Sequence, residues 1–230
     1  MWRLKQENQQ VLVVLATLNE EQGIGPTIKE LKYFLDDPEF LVIDGRSVDG
    51  TIECVKKLNV KILEQLRNGK GDAISQGIRF ADFSGKYVVL VDADYTYPAQ
   101  FIPPMIRILD KRPWVGMVCG NRFNNIYSIR GMKRLYSFGN RFLSFTHNFF
   151  NGIDLVDPLT GLRVVRWDLL KRWRPRSLGF DVEVELNHFV EKQGYEIVEV
   201  PIALRSRLGR KKLNILDGLT ILKRIMSESN

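Results

Sequence analysis

The chain has 230 residues, 44% of them hydrophobic and 27% charged, which gives it material for a substantial core and excludes an intrinsically disordered chain. A formal net charge of +7 points to an anionic partner, and charge alone leaves nucleic acid, an acidic membrane surface and phosphorylated small molecules all open. No run approaches the roughly eighteen apolar residues of a membrane-spanning helix, so the chain is expected to touch a membrane at most.

The opening MWRLKQENQQ carries no apolar stretch after its charges, so no signal peptide is expected. VLVVLATL, Val11 to Leu18, is short, β-branched and followed by the polar NEE, which reads as a strand buried on both faces. FLVIDG and KYVVLVDAD have the same texture. Between these runs, GIGPTIKELKYFLDD, DGTIECVKKLN and GKGDAISQGIRFAD place apolar residues at helical spacing. The alternation predicts an α/β fold with a parallel sheet and right-handed crossovers. Ligands of such sheets bind outside the carboxyl ends of the strands. Those ends carry Asn19 and Glu20, Asp44 and Asp49, and Asp92 and Asp94, which are expected to share one crevice.

Beyond about residue 120 the texture changes. From Asn121 through Ile153 the chain has five basic residues, many aromatics and no acid, and reads as a basic, partly helical segment. VDPLTGLRVVRWDLLKRW predicts a turn opening into strand and helix, and FDVEVELNHFVEKQGYEIVEVPIAL predicts a helix, a stop at Gly194 and a strand. The chain closes with the basic RSRLGRKKLN and the amphipathic ILDGLTILKRIM.

Two aspartates flanking a small residue, as in Asp92-Ala93-Asp94, can aim two hard oxygen ligands at one Mg²⁺ or Mn²⁺ that also holds a diphosphate. A solvated turn is the plain alternative for such a pair. Its place after an apolar strand, beside two other acidic strand ends, favours the metal. DGRSVDGT, Asp44 to Thr51, is a loop whose Ser and Asp can cap the next helix, with Asp44 free to meet a nucleobase or ribose as the alternative. Glycines around Lys70 precede a helix N-terminus, which favours anions, without P-loop spacing. His147 and His188 lack metal-ligand spacing, and Cys54 and Cys119 form no C-x-x-C, so zinc chemistry is not expected; the thiols read as structural ones in a reducing cytoplasm.

Taken in order, these motifs resemble the inverting glycosyltransferase family 2, in its dolichol-phosphate-mannose-synthase-like branch. ATLNEE is similar to that family's PTYNEE, VIDGRSVDGT to its nucleoside loop, NGKGDAISQG to its G-K-G segment and VDADYTYP to its D-x-D. DPLTGLRVVRW is similar to its D-P-x-S-G-F-R turn and RSRLGRKKLN to its R-x-G-x-S/T-K-L tail. The resemblance implies a GT-A fold over a single domain, residues 1–230, with a nucleotide-sugar half (1–120), an acceptor half (121–212) and an amphipathic C-terminal helix (213–230). It implies that Ala16, Leu18, Glu20 and Asp44 lie beside the donor nucleoside and Lys70 near the donor. Asp92 would lie near ribose, diphosphate and metal, with Asp94 as main ligand of Mg²⁺ or Mn²⁺. Arg122, Lys133 and Ser137 would face an acceptor phosphate, with Arg205 or Arg207 in the closing tail. The implied reaction moves a hexose from GDP-mannose or a UDP-hexose to a polyprenyl or dolichyl phosphate, by a peripheral enzyme on the cytoplasmic face of a membrane. Transfer to a glycan or small acceptor is the alternative within the fold. A nucleic-acid-binding protein is the alternative outside it, and no nucleic acid is expected. The chain departs from the family pattern at Ala16 (usually proline), Leu18 (tyrosine), Gly45 (aspartate), Thr96 (glutamine) and Lys211 (Ser or Thr).

Overall fold

The computed structural model describes residues 11–123, 144, 146, 148–149, 154–210, 212 and 215–228. The expected basic aromatic segment, with Lys133 and Ser137, lies largely outside these residues, as does Lys211. The strands are β1 (Val11–Thr17), β2 (Glu39–Asp44), β3 (Lys61–Glu64), β4 (Tyr87–Leu90), β5 (Val115–Asn121), β6 (Arg163–Arg166) and β7 (Glu196–Pro201). They form one seven-stranded sheet in the order β3-β2-β1-β4-β6-β5-β7. All neighbours are parallel except β6, which runs antiparallel to both β4 and β5. The chain leaves β1 first towards β2 and later returns on its other side as β4, so the strand order reverses between β1 and β4. Such a reversal opens a crevice at the carboxyl ends of the two strands.

The helices are α1 (Glu21–Phe34), α2 (Thr51–Lys57), α3 (Lys70–Arg79), α4 (Ile102–Lys111), α5 (Trp167–Leu170), α6 (Val182–Lys192) and α7 (Ile215–Glu228). They cover both faces of the sheet, and the alternation of side chains along β1 divides the core accordingly. Val11, Val13 and Leu15 pack with Ile24, Ile28 and Leu31 of α1 and Met105 of α4. Leu12 and Val14 pack with Ile74 and Ile78 of α3 and Leu186 of α6. Each such aliphatic side chain, buried on folding, contributes about 1.5–3 kcal/mol. This double coverage is why the central strands read as continuous apolar runs. The edge strand β3 has two half-buried residues between two exposed ones, and that weak pattern left it out of the expected strands.

Two features steer the chain into the site. A turn over Asp157–Gly161 reverses direction before β6, and the buried Arg163 pins it from below. Its Nη2 donates to Pro158 O at 2.6 Å, its Nε to Thr160 O at 3.1 Å and its Nη1 to Asn187 Oδ1 at 2.5 Å. At the C-terminal end, α7 seats Ile221 and Ile225 against Val184 of α6, and Arg224 Nε donates to Asp181 Oδ2 at 3.0 Å. That packing accounts for one side of the amphipathic helix, while Leu219 and Met226 remain exposed.

Burial pushes the Cys119 thiol up to about 11, with the nearby Arg163 pulling only partly the other way. It therefore stays protonated at ordinary pH and is shut off from solvent. A thiol reagent at pH 8 is expected to label Cys54 alone in the folded protein and both cysteines in denaturant; fast labelling of two thiols without denaturant would contradict this burial.

Candidate functional site

The crevice is floored by carboxylates that the sheet topology brings together. Beyond β4, Asp92 points at Lys70, the first residue of α3: Lys70 Nζ lies 2.6 Å from Asp92 Oδ1 and 2.7 Å from Glu183 Oε1 on α6. Burial alone would favour the neutral amine, but the two carboxylates outweigh it and hold Lys70 charged, with its pKa well above the usual range. Burial likewise works to raise the Asp92 carboxyl, yet Lys70, with Arg207 and Arg122 further off, keeps it below the usual carboxylate value. A glycine is needed beside it, because a Cβ on Gly161 would come within 2.3 Å of Asp92 Oδ2. Gly161→Ala is expected to displace Asp92, costing about 1–3 kcal/mol of stability and at least about ten-fold in turnover. Wild-type kinetics in this variant would contradict the placement.

Asp94 is held differently. Its Oδ1 accepts the Thr96 N–H at 2.9 Å, across Tyr95 at a φ of +66°, and its Oδ2 lies 2.9 Å from Arg207 Nη2. Arg207 also reaches Glu20 Oε1 at 3.0 Å, and Lys212 pairs with the same oxygen. The tail carrying these cations is tied down by its backbone: Arg205 N–H donates to Thr96 O and Leu208 N–H to Asp94 O, both at 3.0 Å. Burial raises the Glu20 carboxyl above its ordinary value, and Lys212 and Arg207 oppose that shift.

Glu20, Asp92, Asp94 and Glu183 thus face Lys70, Arg207 and Lys212, an excess of one negative charge. The second oxygens of Glu20 and Glu183 are buried without a hydrogen-bond partner among the described residues. This hard, anionic, under-satisfied oxygen set fits a divalent cation of the Mg²⁺ or Mn²⁺ kind. Among the described residues no three His, Cys, Asp or Glu side chains converge as a preformed metal site. Asp92 and Asp94 would be the protein's share of the ligands, the remainder coming from diphosphate and water.

The other expected site residues are placed as follows. Asp44 is buried and shapes its loop, accepting from Ser47 N–H at 2.8 Å, Ser47 Oγ at 2.6 Å and Thr17 Oγ1 at 3.2 Å. Ala16 lines a small cavity together with Lys70 and Glu183, and Leu18 is exposed at the end of β1. Arg122 is locked onto Asp157 by two bonds of 2.6 Å, and Asp157 and Val156 in turn donate their N–H groups to Glu199. Of the two tail arginines, Arg207 is the one on the D-x-D; Arg205 pairs with Glu30 and stacks 3.7 Å from the Tyr95 ring centroid. The crevice residues not singled out in the sequence are Glu183 and Lys212. Glu183 sits in FDVEVEL among acids of similar helical appearance, and only the contact with Lys70 separates it from Glu185, which accepts the Arg176 and Ser177 N–H groups.

The family profile described as Glycosyl transferase family 2 matches residues 12–174, a span that begins in β1 and runs through the D-x-D and the Asp157–Gly161 turn. The chain belongs to glycosyltransferase family 2. It is 31% identical over 209 residues to the dolichyl-phosphate hexose transferase of Haloferax volcanii, covering 90% of this chain and 87% of that protein. It is 30% identical over 194 residues to glycosyltransferase AglJ of the same organism, covering 83% of this chain and 61% of that protein. Its fold is similar to glucosyl-3-phosphoglycerate synthase from Mycobacterium tuberculosis, solved with Mn²⁺, UDP-glucose and phosphoglyceric acid, at a TM-score of 0.77 and 22% identity over 96% of this chain and 80% of that one. The GT-A-like α/β architecture and the glycosyltransferase class expected from the motifs are therefore borne out.

Proposed function

We propose that this family 2 transferase moves a hexose from a nucleoside diphosphate sugar, GDP-mannose or a UDP-hexose, to a polyprenyl or dolichyl phosphate, with inversion at the anomeric carbon. The observation that carries the reading is the D-x-D at the strand-order reversal with Lys70 on one carboxylate and Arg207 on the other. A divalent ion held by Asp92 and Asp94 would neutralise the leaving diphosphate. Arg207 and Lys212, now spent on carboxylates, are within the same crevice and supply further positive charge to the diphosphate oxygens. Lys70 fixes the orientation of Asp92. An acceptor phosphate oxygen forms the new bond to the anomeric carbon as the bond to diphosphate breaks, and the nucleoside diphosphate leaves with the electron pair. A phosphate monoester is already anionic near neutral pH, so the step needs no protein base.

Support for the lipid acceptor comes from the 31% identical relative named a dolichyl-phosphate hexose transferase. No helix among the described residues is long and apolar enough to cross a membrane. In this reading the basic aromatic segment and the exposed Leu219 and Met226 of α7 would meet the bilayer, with the protein peripheral on the cytoplasmic face. The test is transfer of radiolabel from GDP-mannose, UDP-glucose and UDP-GlcNAc, with Mn²⁺, to dolichyl phosphate in detergent. One donor is expected to give label that partitions into the organic phase. Label appearing only on an added soluble phosphate ester or glycan would overturn the lipid acceptor.

A further inference from the structure

Three of the five departures from the family pattern, Ala16, Leu18 and Gly45, lie at one end of the crevice, where β1 and β2 terminate beside β3. Leu18 is exposed there, and Gly45 sits in close quarters with its neighbours. A Cβ built on Gly45 would lie 3.1 Å from Gln65 Oε1, 3.2 Å from Thr17 O and 3.5 Å from Leu18 Cβ. With glycine at this position, the Gln65 amide oxygen and the Leu18 side chain border the same spot with no side chain between them.

Gln65 is held firmly in that pose. Its backbone N–H donates to Asp44 O at 2.7 Å, and its side-chain Nε2 donates to Gly69 O at 2.7 Å and Asp72 Oδ2 at 3.3 Å. Both partners of Nε2 are acceptors, one of them a carboxylate, so the amide cannot be flipped without opposing two oxygens to its own. Asp72 is itself fixed by the Arg67 N–H at 3.0 Å. The result is a buried side chain with its hydrogen-bond acceptor fixed at Gly45. A rigid acceptor of this kind discriminates ligands by whether they carry a hydrogen to give it.

We propose that Gln65 is a base-reading residue, its Oε1 accepting the ring N–H of the donor nucleobase. This rests on the nucleotide-sugar reading above. Uracil and guanine carry a ring N–H on their pairing edge, where cytosine and adenine carry a lone pair that would face Oε1 oxygen to nitrogen. Gln65 thus selects uridine or guanosine donors over cytidine and adenosine ones, and Leu18 offers the base an apolar contact.

The test is calorimetry of UDP, GDP, CDP and ADP with Mn²⁺ on the wild type and on Gln65→Leu, with a ring-N-methylated version of the preferred nucleotide as a further ligand. UDP or GDP is expected to bind at least about ten-fold tighter than CDP and ADP, and the methylated nucleotide to lose that advantage. Gln65→Leu is expected to weaken the preferred nucleotide about ten-fold while changing CDP and ADP by less than about two-fold. Equal weakening of all four would mean that Gln65 only braces the Gly69 loop, and the proposal would be overturned; so would undiminished binding of the methylated nucleotide, an arm that needs no variant to fold. Binding without base preference defeats the base-reading role alone, whereas no binding of any nucleotide to the wild type defeats the donor reading with it.

Discussion

Lys70→Met is expected to destabilise the protein by about 2–4 kcal/mol, because it leaves the partly exposed Asp92 and the buried Glu183 facing one another with no cation between them. The ammonium lies 2.6 and 2.7 Å from the two carboxylates, which places their oxygens in reach of one small site. Without it, both cannot stay ionised there at modest cost, and one must take up a proton or the segment beyond β4 must part from the start of α6. Urea unfolding at pH 7 measures the loss. Adding Asp92→Asn and Glu183→Gln to the Lys70→Met background is expected to recover most of it, since the destabilisation comes from uncompensated charge and not from lost volume. A small effect of Lys70→Met alone would mean that solvent reaches the triad freely.

Asp94→Asn is expected to leave the fold intact and lower turnover by about 10²–10³-fold. Its side chain is buried, but the amide matches it in volume, and its oxygen can still accept the Thr96 N–H. What changes is charge. Arg207 loses one of its two carboxylates and is left on Glu20, which already serves Lys212. On the proposed site the protein's share in a divalent ion would fall to Asp92, so the variant's turnover is expected to need more Mn²⁺ for half-saturation. Turnover within about three-fold of wild type at the same Mn²⁺ concentration would remove Asp94 from the site.

Most of the fold's first half is legible in the sequence because physics there is local: VLVVLATL and FLVIDG are apolar on both faces only because helices cover both sides of the sheet. The acidic strand ends are legible for the same reason, since a parallel sheet puts its carboxyl ends together. What sequence does not carry is partnership. Asp44 and Asp92 are both aspartates at the ends of apolar strands, yet the first spends its oxygens on Ser47 and Thr17 and the second on Lys70. Arg205 and Arg207 stand two residues apart in one basic tail, and only the tail's backbone bonds to Asp94 and Thr96 decide which of them meets the D-x-D. Arg122 was expected to face an acceptor phosphate, and in the structure its guanidinium is engaged by Asp157, a residue 35 positions away. Glu183 is invisible for the same reason, because its meaning lies in a contact with Lys70 across more than a hundred residues.

The most direct test of the donor site is calorimetric titration of the wild type and Asp94→Asn with nucleotide sugars, in Mn²⁺ and in EDTA. One nucleoside diphosphate sugar is expected to bind the wild type in Mn²⁺, with binding at least about ten-fold weaker in EDTA or in the variant. Equal affinity under all of these conditions would show that Asp92 and Asp94 are a structural turn, and the donor site would have to be sought elsewhere on the chain.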